Sequence, residues 1–224
     1  MLSMTKRFLS LSIVLMLMTI LTVTFTSTAS AAPARGTTHT VGAAGHSWTR
    51  ATARNFRQLF PHAHAIQTKI GFNVVTCLND TIQSYQNSNF VSTEIGYSGS
   101  QYGMLRARAS AVGPWEKYTI CIDNTTSIVT IQAQANGLFV STEIGYLNSS
   151  YAMLRARASV VGPWEQYFLN CSSGSHGFCF IQSKANGLFV AEEDLYWGSG
   201  YGMLRARTTP QSIGTWEEFI INAA

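Results

Sequence analysis

The segment FVSTEIGYLNSSYAMLRARASVVGPWE, residues 139–165, decides the fold because the chain contains it three times. The first copy, residues 90–116, reads FVSTEIGYSGSQYGMLRARASAVGPWE, and the third, residues 189–217, reads FVAEEDLYWGSGYGMLRARTTPQSIGTWE. The isoleucines that open the units, Ile82, Ile131 and Ile181, are 49 and 50 residues apart. A repeat of this length indicates that each unit buries its apolar face against its copies.

Each unit contains four short strand patterns. The first alternates, as in Ile131-Gln132-Ala133, and an Asn-Gly turn favours a tight hairpin into the second, Phe-Val-Ser-Thr-Glu. In the third, Met-Leu-Arg-Ala-Arg, alternation predicts that Leu105 and Ala107 face the core while Arg106 and Arg108 face solvent. A Gly-Pro turn, replaced by Gly-Thr in the third copy, leads to the fourth pattern, Trp-Glu-x-Tyr/Phe.

Three four-stranded units suit a closed barrel with a hairpin cap, the β-trefoil, since propellers typically need at least about four blades. Closure also removes exposed sheet edges. The predicted fold class is therefore all-β, with a single β-trefoil over residues 71–224 and repeats at about 76–120, 121–169 and 170–221.

The succession Ile-x-Ser/Ala, Asn-Gly, Phe-Val, Leu-x-Ala-x and Gly-Pro-Trp-Glu-x-Tyr/Phe resembles fascin-like β-trefoil domains over roughly residues 76–221. It is also similar to the fascin-like modules attached to some secreted glycoside hydrolases. The resemblance implies a binding module. The Gln-x-Trp signature of ricin-type lectins is missing from all three copies, which argues against a ricin-type sugar pocket.

The N-terminus has the features of an export signal over residues 1–31. Lys6 and Arg7 precede the apolar run 8–25, and Ala29-Ser30-Ala31 forms a small-residue cleavage site. An uncleaved membrane anchor is the alternative. The sequence predicts cleavage and a secreted, extracellular protein without a transmembrane segment.

Residues 32–70 form a basic segment. The net charge of the chain is +4, yet residues 70–224 hold eight Lys and Arg against eleven Asp and Glu. The repeats are therefore mildly acidic and lack the basic surface typical of nucleic-acid-binding proteins. A short helix is predicted over residues 48–60, ending at Pro61. It would rest on an anionic surface, cover an open end of the barrel or belong to a disordered leader. His62 and His64 alone are weak support for a metal site.

Four cysteines in an exported chain predict disulfides, and none has the C-x-x-C spacing typical of zinc sites. Three pairings are possible in principle. Cys171 and Cys179 flank a short loop between two predicted strands, so a local bridge fits them, and this leaves Cys77 with Cys121.

The loop between the second and third strands is the candidate binding site because sugars need an aromatic face and polar groups for their hydroxyls. The candidate ligand-binding residues are Glu94, Tyr97, Tyr102, Glu143, Tyr146, Tyr151, Glu193, Tyr196, Trp197 and Tyr201. The alternative is that the tyrosines only pack the cap. Glu192, Glu193 and Asp194 are consecutive and offer oxygen ligands for Ca²⁺, but strand residues alternate faces, which argues against their converging on one ion.

A second repeated feature is the Trp-Glu pair of the fourth strand. We expect Trp115, Trp164 and Trp216 to pack at the core or lower rim of the barrel. The glutamates that follow them, Glu116, Glu165 and Glu217, are expected to pair with outward arginines such as Arg106 or Arg108.

No catalytic motif is present, so the sequence predicts a non-enzymatic protein with no cofactor and no metal. The leading hypothesis is a monomeric module that binds glycans weakly at up to three equivalent loops. The alternative is an extracellular protein-binding module, of a protease-inhibitor or cytoskeletal fascin-like kind. An enzyme is the third hypothesis.

Overall fold

The computed structural model describes residues 38–40, 47–61, 66–70, 73–172 and 177–224. The predicted signal peptide, His62 and His64 lie outside these residues. None of the helices in the described ranges has the length and apolarity needed to cross a bilayer.

Strands are the main regular elements of the described chain. The N-terminal segment contributes β1 (Thr38–Thr40), β2 (Ser47–Arg50), helix α1 (Phe56–Leu59) and β3 (Ile66–Ile70). The first repeat contains β4 (Asn73–Ser84), β5 (Phe90–Glu94), β6 (Met104–Ala109) and β7 (Lys117–Asp123). The second repeat contains β8 (Val129–Ala133), β9 (Phe139–Glu143), β10 (Met153–Ala158) and β11 (Tyr167–Ser172). The third repeat contains β12 (Phe178–Ser183), β13 (Phe189–Glu193), β14 (Met203–Thr208) and β15 (Phe219–Ala223).

The first and fourth strands of the repeats close a barrel. The antiparallel pairs run β4–β7, β7–β8, β8–β11, β11–β12, β12–β15 and back from β15 to β4. The second and third strands form three hairpins, β5–β6, β9–β10 and β13–β14. The third strands also pair with one another around the axis. The structure therefore confirms the predicted all-β, threefold β-trefoil.

The barrel interior is filled by equivalent side chains from each repeat. Ile82, Ile131 and Ile181 are buried in one cluster with the three leucines that follow the methionines of the third strands, Leu105, Leu154 and Leu204. Burying a side chain of this size stabilises the fold by about 1.5–3 kcal/mol. The alternation of apolar and polar residues in the sequence thus correctly predicted that these isoleucines and leucines face the barrel interior.

One residue of β4 that faces this interior carries a carboxyl group. Asp80 lies on the same face of β4 as Leu78 and Ile82 and is fully buried. Neither of its carboxylate oxygens has a hydrogen-bond partner among the described residues. The equivalent positions, judged by the pairing of the fourth strands, hold Val129 and Cys179. An unpaired buried carboxyl is costly, and burial raises the pKa of Asp80 to about 7.

Residues 47–61, the part of the N-terminal segment that holds the expected helix, are only partly helical. A helix was expected over residues 48–60, but Trp48 lies in β2, which pairs with β11, and α1 spans only four residues. Phe56 and Phe60 are buried in the barrel cluster, and the Ala51 amide donates to the Leu169 carbonyl at 2.7 Å. The apolar side of this segment therefore covers the barrel and is not free to rest on a membrane surface.

Both cysteine pairs form disulfides. Cys77 faces Cys121 across β4 and β7, and Cys171 faces Cys179 across β11 and β12. This confirms the pairing favoured by the sequence. Two disulfides fit an oxidising environment.

Candidate functional site

The three hairpin loops form a cap around the threefold axis. Each loop contains a short 3-10 turn, at Gly99–Gln101, Asn148–Ser150 and Gly198–Gly200. The first residue of each turn has a positive φ of 60°, 56° and 62°, respectively, which explains why glycine or asparagine stands there. The same local geometry therefore recurs at all three loops.

A ring of buried arginines ties these loops together. Arg106 was expected to face solvent, and this expectation is wrong because Arg106 and its counterparts Arg155 and Arg205 are all buried. Arg155 Nε donates to the Tyr102 carbonyl at 3.0 Å and its Nη2 donates to the Gly99 carbonyl at 3.3 Å. Arg205 reaches in the same way from the third repeat to the second, and Arg106 from the first to the third. Each guanidinium thus holds the loop of a neighbouring repeat.

The loop glutamates belong to the same network. Glu94, Glu143 and Glu193 are buried, and each pairs with the outer arginine of its own third strand, Arg108, Arg157 or Arg207. The ring arginines also lie within 3.9, 3.9 and 3.6 Å of these glutamates. In this conformation the carboxylates hold the cap together and do not open to the surface.

The glutamates that follow the tryptophans have a different role from the one expected. Glu116 does not pair with Arg106 or Arg108: its Oε2 accepts from the Gly113 amide at 2.7 Å and its Oε1 from the Ser92 hydroxyl. Glu165 repeats this arrangement. These carboxylates cap the tight turn before the fourth strand, because the turn leaves its glycine N–H without a backbone partner.

The tryptophans themselves lie outside the barrel core. Trp115, Trp164 and Trp216 are only partly buried and belong to none of the buried clusters, so the expectation that they pack in the core is wrong. The ring edges of Trp115 and Trp164 instead come within 3.6 and 3.7 Å of the space that a Cβ would fill at Gly96 and Gly145. They pack over the start of the cap loops.

The loop tyrosines are divided between the network and the surface. The hydroxyls of Tyr97, Tyr146 and Tyr196 accept from Nη1 of the ring arginines at 3.1, 2.8 and 3.2 Å. The carbonyls of the second tyrosine in each loop, Tyr102, Tyr151 and Tyr201, accept from Nε of those arginines. Tyr97, Tyr196 and Tyr201 keep 37% of their surface exposed. Their rings are therefore held in place and remain reachable from solvent.

The third loop departs from the symmetry. Trp197 is 94% exposed, whereas the equivalent positions hold Ser98 and Leu147. Leu195, next to Tyr196, is also exposed and replaces the glycines of the other copies. Tertiary packing does not require Trp197, so its exposed ring is the feature of the cap that most needs a functional explanation.

The acidic triple of the third repeat does not converge on one point. Glu192 is buried between repeats, where its Oε2 accepts from the Ser84 hydroxyl at 2.6 Å and its Oε1 contacts Asn87. Burial, followed by its interaction with Asp194, raises the pKa of Glu192 to about 8. Glu193 instead pairs with Arg207. No described residues form a group of three or more His, Cys, Asp or Glu suited to a metal ion.

A depression opens on the threefold axis of the cap, with a volume of about 260 Å³. Met104, Met153 and Met203 lie in its lining together with loop serines, Gln101 and the ring of Trp197. Gln101 Nε2 donates to the Ser199 hydroxyl at 2.7 Å and links the first and third loops. The lining is polar at the loops and apolar at the methionines.

Comparisons with known proteins support the fold alone. No protein-family model matches the chain, and no curated protein matches it. Among solved structures, the designed threefold-symmetric protein ThreeFoil aligns with a TM-score of 0.53 and 10% identity, over 65% of this chain and 99% of ThreeFoil. A GlcNAcα1-4Gal-releasing endo-β-galactosidase from Clostridium perfringens aligns with a TM-score of 0.47 and 10% identity, over 68% of this chain and 33% of the enzyme. At that score the second alignment carries no argument.

Proposed function

We propose that this chain is a secreted, non-enzymatic β-trefoil module of fascin-like type that binds glycans at its cap, with the third loop as the main contact. The observation that carries the proposal is the exposure of Trp197 beside the axial depression. An indole face accepts the C–H side of a sugar ring, and burying it against a ligand removes a large apolar surface from water.

Polar partners for sugar hydroxyls lie next to this ring. Ser199 and Gln101 line the depression, as do Ser100, Ser149 and Ser150. Because Glu94, Glu143 and Glu193 are held in ion pairs, these hydroxyl and amide groups take the polar role first assigned to the glutamates. A site of this kind gives weak binding, since neutral hydrogen bonds contribute only about 0.5–1.5 kcal/mol each.

The first and second loops supply secondary contacts. Their tyrosine rings are partly accessible, but Ser98 and Leu147 stand where the third loop has Trp197. Three loops on one polymer would still gain avidity from multivalency. The three equivalent sites of the sequence hypothesis thus become one main site and two weaker ones in this proposal.

Non-enzymatic action is proposed because the repeated carboxylates are already engaged. Glu116, Glu165 and Glu217 cap turns, and the loop glutamates neutralise arginines. A general acid and base must be free to exchange a proton with the substrate. Hydrolysis of a bound glycan by the purified protein would contradict this part of the proposal.

The test is binding to a glycan array and to insoluble polysaccharides by the wild type and two matched variants. Trp197→Ser and Leu147→Ser each install the residue of the first repeat at the same loop position. We expect Trp197→Ser to weaken binding about tenfold or more, which corresponds to ~1.4 kcal/mol, while Leu147→Ser changes it little. No binding to any glycan by folded wild type would reject the proposal.

A protein partner is the second candidate, and the exposed apolar side chains Leu147 and Leu195 favour it. Exposed apolar side chains that lie together mark protein-interaction surfaces, and leucine offers no aromatic face for a sugar ring. If Leu147→Ser weakened capture of a partner as much as Trp197→Ser, and glycans did not compete, the protein-binding alternative would replace the glycan proposal.

A further inference from the structure

Every methionine after residue 18 lies at one place in this fold. Met104, Met153 and Met203 form a cluster of their own, only 2%, 2% and 5% exposed, with Tyr146 packed against it. All three line the axial depression. The cluster therefore places three thioethers beneath an opening to solvent.

The strand register makes these three positions equivalent. Met104 begins β6, Met153 begins β10 and Met203 begins β14. Met203 lies opposite Arg106, and the other two methionines lie opposite the ring arginines of the next strands around the axis. The leucine after each methionine is buried in the barrel cluster. Because neighbouring strand residues point to opposite faces, the methionines turn away from the barrel core and toward the cap.

Three thioethers around one axis have a specific coordination chemistry. Thioether sulfur is a soft ligand that selects Cu(I) and similar soft ions over hard cations such as Ca²⁺ or Mg²⁺. No other reduced sulfur competes for such an ion in the described chain, because the four cysteines form two disulfides. We propose that Met104, Met153 and Met203 form a trigonal site for a soft monovalent cation, Cu(I) or Ag(I), at the base of the axial depression.

The charges around the cluster favour a monovalent ion over a divalent one. The lining of the depression contains no carboxylate that would attract a hard divalent cation. The guanidiniums of Arg106, Arg155 and Arg205 lie in the same cap, each accompanied by a glutamate within 3.9 Å and by carbonyls of the loops. This pairing offsets their charge, but the surroundings stay unfavourable to a second positive charge on the ion.

The alternative is that the three methionines only form an apolar floor, meaning a packed apolar surface at the base of the depression. Methionine is also suited to that role. Methionine is flexible and specifies a packed floor poorly, whereas leucine or isoleucine fills the same volume with fewer rotamers. An apolar floor requires only side chains of the right volume, whereas a cation site requires the thioether sulfurs. Substitution of methionine by leucine therefore separates the two readings, because it keeps the volume and removes the ligand atom.

The test uses the full chain labelled with ¹³C-methyl methionine and titrated with Ag(I) in chloride-free buffer. Among the seven methionines of the chain, we expect one equivalent of Ag(I) to shift the methyl signals of Met104, Met153 and Met203, which are assigned from single Met→Leu variants. Met153→Leu should lower Ag(I) affinity at least tenfold, and the triple Met→Leu variant should lose the response. Thermal unfolding checks that each variant is folded; if the triple variant is not, the single variants decide.

Trp197→Ser serves as the control because it removes the proposed sugar platform and leaves the sulfurs in place. It should bind Ag(I) like the wild type, so failure of glycan binding and failure of metal binding are distinguishable. The absence of any methyl shift with Ag(I), or equal affinity in wild type and Met→Leu variants, would overturn the proposal and leave an apolar floor only.

Discussion

Replacing Asp80 by valine should stabilise the protein at neutral pH. The second repeat holds Val129 at the equivalent place, so the barrel already accommodates this side chain. Asp80 is fully buried and neither of its oxygens has a hydrogen-bond partner among the described residues. The substitution removes a buried polar group without removing any contact that stabilises it.

The magnitude follows from the pKa. Burial raises the pKa of Asp80 to about 7, against about 3.9 in an unfolded chain. The folded state therefore binds more protons than the unfolded state between these values, and the free energy of unfolding falls as the pH rises from about 4 to about 7. At ~1.4 kcal/mol per pKa unit the loss is about 2–4 kcal/mol, the lower value allowing for screening by nearby water.

The assay is urea unfolding of the wild type and the variant at intervals between pH 4 and pH 8, with both disulfides intact. Asp80→Val should remove this part of the pH dependence and be more stable than the wild type by about 2–4 kcal/mol above pH 7. Asp80→Asn is the control: it also cannot ionise, but it leaves an unpaired amide and should gain less. A valine variant that keeps the full slope of stability against pH, or that is less stable than the wild type at pH 7.5, would contradict this prediction.

Three further substitutions test other parts of the structure. Arg155→Leu should cost about 3–5 kcal/mol because it leaves buried acceptors unpaired, whereas Arg157→Leu, at a more exposed pair, should cost about 1 kcal/mol, as measured by urea unfolding. The pKa of Glu192 is raised from 4.5 to about 8, so the free energy of unfolding should fall as the pH rises between these two values. Glu192→Thr, which installs the residue of the other two repeats, should remove this loss of stability. Gly103→Ala should lower stability by about 1–2 kcal/mol, since its φ is 74° and a Cβ would meet a backbone carbonyl at 2.4 Å; the protein should still fold because Ala152 occupies the equivalent place with φ 57°. An unchanged thermal midpoint in Gly103→Ala would argue against the close approach.

The barrel could be predicted because its information is local and repeated. The alternation of Ile131, the Asn136-Gly137 turn and the threefold recurrence of both are visible without coordinates. The pairing of Cys171 with Cys179 followed from a short loop between strands, and the structure confirms it. Such features depend on neighbours in sequence, which strand periodicity describes well.

The cap could not be predicted in the same way because its contacts cross between repeats. Alternation placed Arg106 in solvent, yet the third strands leave the barrel wall at the cap, where the loop of another repeat covers this side chain. The partners of Glu94 and Glu116 were missed for a different reason, because these contacts lie within one repeat: Glu116 accepts from the turn amide of Gly113, and Arg108 pairs with Glu94 instead. One signal was available: an arginine at the same place in all three copies of a mildly acidic domain.

The N-terminal segment shows the limit of periodicity for short elements. The spacing of Phe56 and Phe60 fits a helix, and both are buried as one apolar face. Trp48 fits the same helical face, but a strand partner in β11 was available and β2 forms instead. A tertiary partner thus overrode the local pattern.

Glycan recognition by the third loop is tested most directly by NMR of the five tryptophan indole N–H groups during titration with a glycan that the array identifies. The signal of Trp197 should shift in proportion to saturation, while those of Trp48, Trp115, Trp164 and Trp216 stay in place. A glycan that binds without moving the Trp197 signal, or that moves the signal of Trp48 instead, would contradict the account.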